Sequence, residues 1–353
     1  MPPHKVLLVG PYPPPYGGLS VQLLHWQDFL ANAEGWSCRV LNIGEQRREA
    51  LKDCQEVLGY WDFWCKISGY AKQGYLIHLF TNGHNLKSWL CSFACTLAGC
   101  FNHRRTLLVF GSGNLPGFVR SRGRSVRCVM QATAKLSGHI VCRNEEMRQT
   151  FLSLGIPAAK LSILPGYYQS EVSIQPDEVS SDVQSFVREH HPILGATAII
   201  SPEYGVAYLL AALRVLKSDY PKIGLILIGI DSSLGVDENL QPHVLLPGPL
   251  PNRVVLWVMK HLTLFVRPTL FDGDSLSVRE ALSLRIPVVA SSTGHRPEGV
   301  RLFRKGETPD LVRAIRQALS EEEDVGCHPH PHSSEEVKEE ILDLYMRLFK
   351  AAC

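Results

Sequence analysis

The sequence predicts an α/β protein built from two doubly wound parallel-sheet domains that face a shared cleft. Three observations lead to this. Short apolar runs alternate with amphipathic stretches along nearly the whole chain, as in repeated βα units. Several apolar runs end in glycine-rich turns, which falls where the carboxyl ends of parallel strands collect ligands. At 353 residues the chain exceeds one ordinary core and fits two domains.

Composition narrows the function. The chain is 45% hydrophobic and 20% charged, so it is globular rather than disordered. Its 36 Lys and Arg against 34 Asp and Glu give a formal charge of +2, which is no footprint for duplex nucleic acid. Ten cysteines include no C-x-x-C pair. Cys91, Cys95 and Cys100 are helically spaced among apolar residues and read as buried free thiols. The start, MPPHKVLLVG, runs almost directly into a strand pattern, so no signal peptide is expected. Residues 88–101, the longest apolar run without a charge, are too short to span a bilayer. A cytoplasmic protein is expected, with peripheral contact at the inner face of a membrane left open.

In chain order, residues 5–10 (KVLLVG) form a buried-strand pattern. The loop 11–18 (PYPPPYGG) follows, and a helix from 20 to 30. Four prolines stiffen that loop, and Gly17–Gly18 lets the backbone approach a ligand. Free N–H groups and the positive dipole end of the following helix suit a phosphate. The loop is neither G-x-G-x-x-G nor a P-loop, which argues against a dehydrogenase and an ATPase; a plain βα turn is the alternative. Residues 38–43, 75–80 and 106–110 read as strands, with a helix over 85–99. The basic trio His103, Arg104 and Arg105 fits a solvated helix end better than a headgroup contact. Residues 111–117 (GSGNLPG) make another glycine-rich turn. A helix, a strand at 139–142, a helix over 144–154 and residues 161–165 close the first domain, taken as 1–165.

Residues 166–195 read as the interdomain connection, with a weak helix at 183–189. The second domain, 196–332, resumes the alternation. Strands are expected at 197–200, 224–229 and 243–246, helices at 206–217 and 252–261, strands at 262–266 and 287–290 and a helix at 311–319. The segment 326–332 (GCHPHPH) reads as a linker rather than a metal site, because its prolines prevent helical His spacing. Ser333 with Glu336 forms a capping box. Val337, Ile341, Leu344, Tyr345 and Leu348 then line one face of a final helix in 333–353, expected to pack back on the first domain.

The stretch 266–299 holds the most chemistry. Two carboxylates, Asp272 and Asp274, flank Gly273 in a loop after the strand, and a helix starting near Ser275 carries Glu280. Seven residues separate Asp272 from Glu280, so both can face one pocket about a turn and a half apart. Asp272-Gly273-Asp274 has the spacing of a metal-binding pair, but the adjoining Ser275-Leu276 and Glu280 favour a different use.

At these residues the chain resembles a GT-B glycosyltransferase of family 4, the retaining group that uses nucleotide sugars. The resemblance spans nearly the whole length. It rests on GPYPPPYGG at 10–18, NEEMRQTFLSLGI at 144–156, PEYGVAYLLAAL at 202–213 and, above all, RPTLFDGDSLSVREALSLRIPVVAS at 267–291. It implies that Glu280 accepts hydrogen bonds from ribose hydroxyls. Asp272, matching a Glu in the family, would contact the donor sugar and stabilise charge at its anomeric carbon. Backbone N–H groups around Gly273, Asp274, Ser275 and Leu276, with those at Gly17 and Gly18, would hold sugar or diphosphate. No metal and no cofactor is implied; the nucleotide sugar, UDP- or GDP-type, is a substrate. The acceptor would be a glycan or lipid-linked sugar in polysaccharide or glycolipid assembly, recognised by the first domain.

Four positions depart from the family pattern. Asp272 is one methylene short. Tyr204 stands where a Lys usually neutralises the diphosphate, leaving Arg267, Arg279 and Arg296 as candidates. Gly111 replaces a His. Arg285 occupies the place of a helix-ending glycine, where a left-handed backbone costs about 1 kcal/mol. Two other functions fit the same fold: a nucleotide-sugar epimerase or hydrolase, and a noncatalytic subunit of a glycosyltransferase complex.

Overall fold

A computed structural model describes residues 3–44, 54–103, 105–167, 178–321 and 334–351. The chain divides into two compact units. Unit 1 comprises Met1–Tyr168 and His332–Cys353, and unit 2 comprises Gln169–Pro331.

Unit 1 contains β1 (His4–Gly10), α1 (Gly18–Asn32), β2 (Trp36–Asn42), β3 (Cys54–Glu56), α2 (Tyr60–Lys72), β4 (Leu76–Thr81), α3 (Leu86–Phe101), β5 (Thr106–Phe110), α4 (Leu115–Arg120), α5 (Arg124–Leu136), β6 (His139–Cys142), α6 (Glu145–Ser153) and β7 (Leu161–Ile163). Its seven strands lie in the order β3-β2-β1-β4-β5-β6-β7, and every pairing is parallel. The strand order reverses between β1 and β4, so the loop after β1 opens at the switch point, where doubly wound sheets bind ligands. Fully buried apolar strands such as LLVG and LIHLF follow from helices covering both faces. On one face α2, α3, α5 and α6 bury Ile67, Trp89, Cys95, Met130 and Phe151. On the other, α1 supplies Trp26 and Leu30.

The last helix, α12 (Ser334–Lys350), belongs to unit 1. Val337, Ile341, Leu344, Tyr345 and Leu348 are all buried against the α1 face of the sheet. Tyr345 is fully buried, and its hydroxyl lies 2.5 Å from His78 Nδ1. Burial and the nearby Arg143 push the His78 imidazole well below its ordinary range, so it is neutral here. Ser333 and the segment 326–332 lie outside the described residues.

Unit 2 contains α7 (Ser181–Glu189), β8 (Ile193–Thr197), α8 (Val206–Leu216), β9 (Gly224–Ile228), β10 (Val244–Leu245), α9 (Asn252–Lys260), β11 (Leu264–Arg267), α10 (Leu276–Ser283), β12 (Val288–Ser291), β13 (Val300–Phe303) and α11 (Thr308–Ser320). Its six strands follow the order β10-β9-β8-β11-β12-β13, all parallel, with the switch point between β8 and β11. Helices α8 and α11 cover one face; α7, α9 and α10 cover the other.

One strand departs from the sequence expectation. The apolar run ILGATAII forms its strand over Ile193–Thr197, not 197–200. Ile199 and Ile200 are about half exposed beyond the strand end. Gly195 belongs inside the sheet because a Cβ there would lie 2.3 Å from Leu262 Cδ1. Strands β3 and β13 and helix α2 also have no counterpart in the sequence expectations, and the single helix expected before the strand at 139–142 is two, α4 and α5. All eight described cysteines are free thiols; Cys91 and Cys95 are buried, and Cys100 is half-buried.

Candidate functional site

Glycines shape the walls of the site in unit 2. Gly205 (φ +70°) caps α8, and a Cβ on it would sit 2.0 Å from the Pro268 carbonyl oxygen. The α8 turn can therefore press against the chain leaving β11 only with glycine there. Gly294 (φ +65°) has the same role on the other side, since a Cβ would lie 2.1 Å from the Asp272 carbonyl oxygen. Its loop is tied to the acidic one by the His295 N–H, which donates to the Gly273 carbonyl at 2.8 Å.

Both loop carboxylates are ion-paired. Asp272 Oδ2 accepts from Arg267 Nε at 3.0 Å, Arg296 Nη1 at 2.9 Å and Thr269 Oγ1 at 3.1 Å. Its side chain is 10% exposed. Burial pushes the carboxyl up, but Arg267 and Arg296 outweigh burial and bring it down to about 2. Asp272 is therefore fully ionised at neutral pH. Asp274 receives Arg279 Nε on both oxygens, at 3.0 and 2.9 Å, and its side chain is 1% exposed. The three arginines named from the sequence as cation candidates are thus the three partners of the acidic loop.

Arg267 does more than pair with Asp272. At the end of β11, its Nη1 donates at 2.9 Å to the carbonyl of Thr197, the last residue of β8. It thereby spans the switch point of the sheet. Its guanidinium stands 5.3 Å over the Tyr204 ring, a cation–π contact. Tyr204, which replaces the family's Lys, thus carries a cation on its face instead of being one. Arg296 is anchored by Nε to the Ser291 carbonyl at 3.0 Å and by Nη2 to Thr269 Oγ1 at 3.1 Å.

Helix α10 starts where expected. Ser275 is its N-cap, with Oγ accepting from the Val278 N–H at 3.4 Å. Thr197 Oγ1, Ser277 Oγ and Ser275 Oγ form a hydroxyl chain, half-buried at Thr197, with spacings of 2.9 and 3.1 Å. Glu280 is 3% exposed and accepts from Asn252 Nδ2 at 2.9 Å. Burial dominates and raises its carboxyl to about 7, against a smaller downward effect of Asn252. The helix ends at Arg285, which adopts φ +59°. Ile286 N–H returns to the Ala281 carbonyl at 2.9 Å and Arg285 N–H to Leu282, also at 2.9 Å, the bond pattern of a left-handed C-terminal cap.

In unit 1, Gly17 is the extended N-cap of α1. Its N–H donates to Ser20 Oγ at 2.8 Å, and that hydroxyl donates to the Pro15 carbonyl at 2.9 Å. A Cβ on Gly18 would meet nothing within 4 Å, and the nearest atom to one on Gly17 is 3.9 Å away. Packing among the described residues therefore requires neither glycine. Gly111 is different: a Cβ would lie 2.7 Å from Leu19 Cδ2, so its glycine lets α1 close on the sheet.

Nine sequence-predicted residues lie in unit 2 around one loop and helix: Arg267, Asp272, Gly273, Asp274, Ser275, Leu276, Arg279, Glu280 and Arg296. Gly17 and Gly18 lie in unit 1. Sequence reading does not single out Asn252, Thr197, Thr269 or Ser277 as site residues. Thr197 and Asn252 bond to partners 80 and 28 positions away, so no local spacing marks them, and Thr269 and Ser277 are near in sequence but uncharged.

Residues 191–321 match the family described as Glycosyl transferases group 1. No curated protein sequence matches the chain significantly. Among solved structures, sucrose-phosphate synthase from Thermosynechococcus elongatus is 16% identical, with a TM-score of 0.67 over 99% of this chain and 100% of that one. Anabaena HepE in complex with UDP-glucose is 14% identical, with a TM-score of 0.66 over 98% and 99% of the two chains. MnaA of S. aureus with UDP is 14% identical, with a TM-score of 0.59 over 98% and 97%. The chain therefore has the fold of GT-B glycosyltransferases, and its similarity to Glycosyl transferases group 1 lies within unit 2.

Proposed function

We propose that the protein transfers a sugar from a nucleoside diphosphate donor, UDP-type by analogy with the UDP-glucose held by HepE, to a glycan or lipid-linked acceptor. The anomeric configuration is retained, no metal takes part, and the reaction belongs to cytoplasmic polysaccharide or glycolipid assembly. The observation that carries this reading is the charge of the acidic loop. Three guanidiniums, Arg267, Arg279 and Arg296, stand against two carboxylates, Asp272 and Asp274. The surplus is one positive charge at the switch point of a parallel sheet. A departing nucleoside diphosphate gains negative charge as its bond to the sugar breaks. At an effective dielectric of about 20, two charges 4 Å apart interact by about 4 kcal/mol. A surplus cation there favours the leaving group more than it favours a cationic sugar.

In this reading Arg267 and Arg296 replace the missing Lys. Asp272 aims both guanidiniums through Oδ2 and offers its other oxygen to the sugar. Glu280 accepts hydrogen bonds from the ribose hydroxyls, and the N–H groups of the first α10 turn hold the diphosphate. The test is donor kinetics on two variants. Arg296→Lys keeps the charge but loses the fork; it is expected to lower kcat at least about tenfold, with a smaller change in KM. Asp272→Asn is expected to lower kcat more than donor affinity. Wild-type turnover in both would remove the loop from the reaction.

A further inference from the structure

A second surface is marked by charge. Between Asp62 and Glu145 the sequence contains no acidic residue and eleven Lys and Arg, of which Arg143 is buried, although the chain as a whole is nearly neutral. The remaining residues hold all 34 acids against 25 bases. This segment supplies most of α2 and all of α3, α4 and α5, whose inner sides share one core on one face of the unit 1 sheet. Helix α2 packs on α3, and α3 on α5.

The same layer is apolar where it meets solvent. Among the described residues, all eight large hydrophobic side chains that unit 1 exposes lie on α2, α3 and α5 or at the entry to α2. The most exposed are Trp61 (84%), Leu58 (79%) and Tyr60 (74%). Below this rim is a pocket of about 320 Å³ between α2 and α3, walled by Tyr60, Trp61, Phe63, Trp64, Leu90 and Phe93. Lys87 stands exposed beside Leu86, and Arg124, Arg127 and Lys135 are exposed on α5 with Val129 and Leu136.

We infer that the outer face of α2, α3 and α5 docks on an anionic lipid bilayer. Trp61 and Tyr60 enter the interface, the pocket takes part of an acyl chain, and the Lys and Arg side chains lie among the headgroups. The charge identifies the occupant. A second copy of this face would set one basic surface against another. A nucleic acid would use the cations but has no base-stacking use for Leu58, Leu86, Leu90 and Leu136. Interfacial aromatics beside a basic field are what an anionic membrane surface attracts. This inference does not depend on sugar transfer.

The test is co-sedimentation of the full chain with vesicles of phosphatidylcholine alone and of equimolar phosphatidylcholine and phosphatidylglycerol. Binding is expected only to the anionic vesicles. It should fall at least about tenfold when salt rises from ~0.1 to ~0.5 M, as screening shortens the reach of the charges. Trp61→Ser with Leu90→Ser, and separately Arg124→Glu with Arg127→Glu, should each weaken it about tenfold or more while leaving thermal unfolding unchanged. Equal binding to both vesicle types, or binding indifferent to Trp61 and Leu90, overturns the proposal. So does no vesicle binding together with a dimer in sedimentation velocity that the Trp61 variant abolishes, or tighter binding to an RNA or DNA oligonucleotide than to the anionic vesicles.

Discussion

Glu280 links protonation to both stability and binding. Its carboxyl is raised from an ordinary 4.5 to about 7 by burial. Between those values the folded chain holds a proton that the unfolded chain has lost. Glu280 therefore favours folding at low pH, and this contribution disappears as pH rises from about 4.5 to about 7, a change of about 3 kcal/mol. If its carboxylate receives the ribose hydroxyls, donor affinity moves the other way and rises as pH passes about 7. Glu280→Gln should flatten both curves, which calorimetric donor titrations and thermal unfolding across pH 5–8.5 would show. A donor affinity with the same pH slope in both proteins would detach Glu280 from the nucleotide. The residue itself was legible from its spacing to Asp272. Its only sequence-distant hydrogen-bond donor in the described structure, Asn252, was not, because 28 positions and a change of element separate them. The ion pairs are half legible: the sequence marks all three arginines as candidate phosphate partners, whereas their pairing with Asp272 and Asp274 depends on the fold of the loop.

At the scale of elements, glycine positions separate packing from function. Gly205 and Gly294 have no room for a Cβ, and Gly18 has open space around it. Ala at Gly18, in the first turn of α1, should leave stability unchanged or raise it by up to about 1 kcal/mol. If the Gly17–Gly18 turn meets a phosphate, as the sequence resemblance implies, the same change should reduce kcat/KM at least about tenfold. Unaltered kinetics would make the Gly17–Gly18 turn a plain βα connection. Arg285 gives the converse case. Its departure from a helix-ending glycine was legible in the sequence, and the structure shows the left-handed backbone this implies (φ +59°). Arg285→Gly should stabilise the chain by about 1 kcal/mol, read as a higher Tm, and should not touch turnover. A lower Tm would mean that the Arg285 side chain makes a compensating contact. Strand β8 was misplaced for an equally local reason. Glycine reads as a break in an apolar run, whereas Gly195 is the residue that lets Leu262 close on the sheet.

For the whole molecule, the alternation of apolar runs gave the class of fold, and regular periodicity marked α12 and its buried face. Sheet order was not legible, because no local pattern records that β1 lies beside β4 or β8 beside β11. A formal charge of +2 also conceals the basic segment of unit 1, since acids elsewhere cancel it. Within each sheet the strand order reverses once, and in unit 2 that reversal holds the acidic loop, three arginines and Glu280. In the proposed function this constellation serves transfer of a sugar from a nucleoside diphosphate. The direct measurement is release of nucleoside diphosphate from a panel of UDP- and GDP-sugars, with and without glycan and lipid-linked acceptors, analysing both the sugar and the free diphosphate. Sugar transfer predicts acceptor-dependent release from a UDP-sugar, with a product linkage of the donor's own anomeric configuration. Release or sugar alteration without any acceptor would make the protein a hydrolase or epimerase, and nucleotide-sugar binding with no turnover for any acceptor would contradict the claim of transfer.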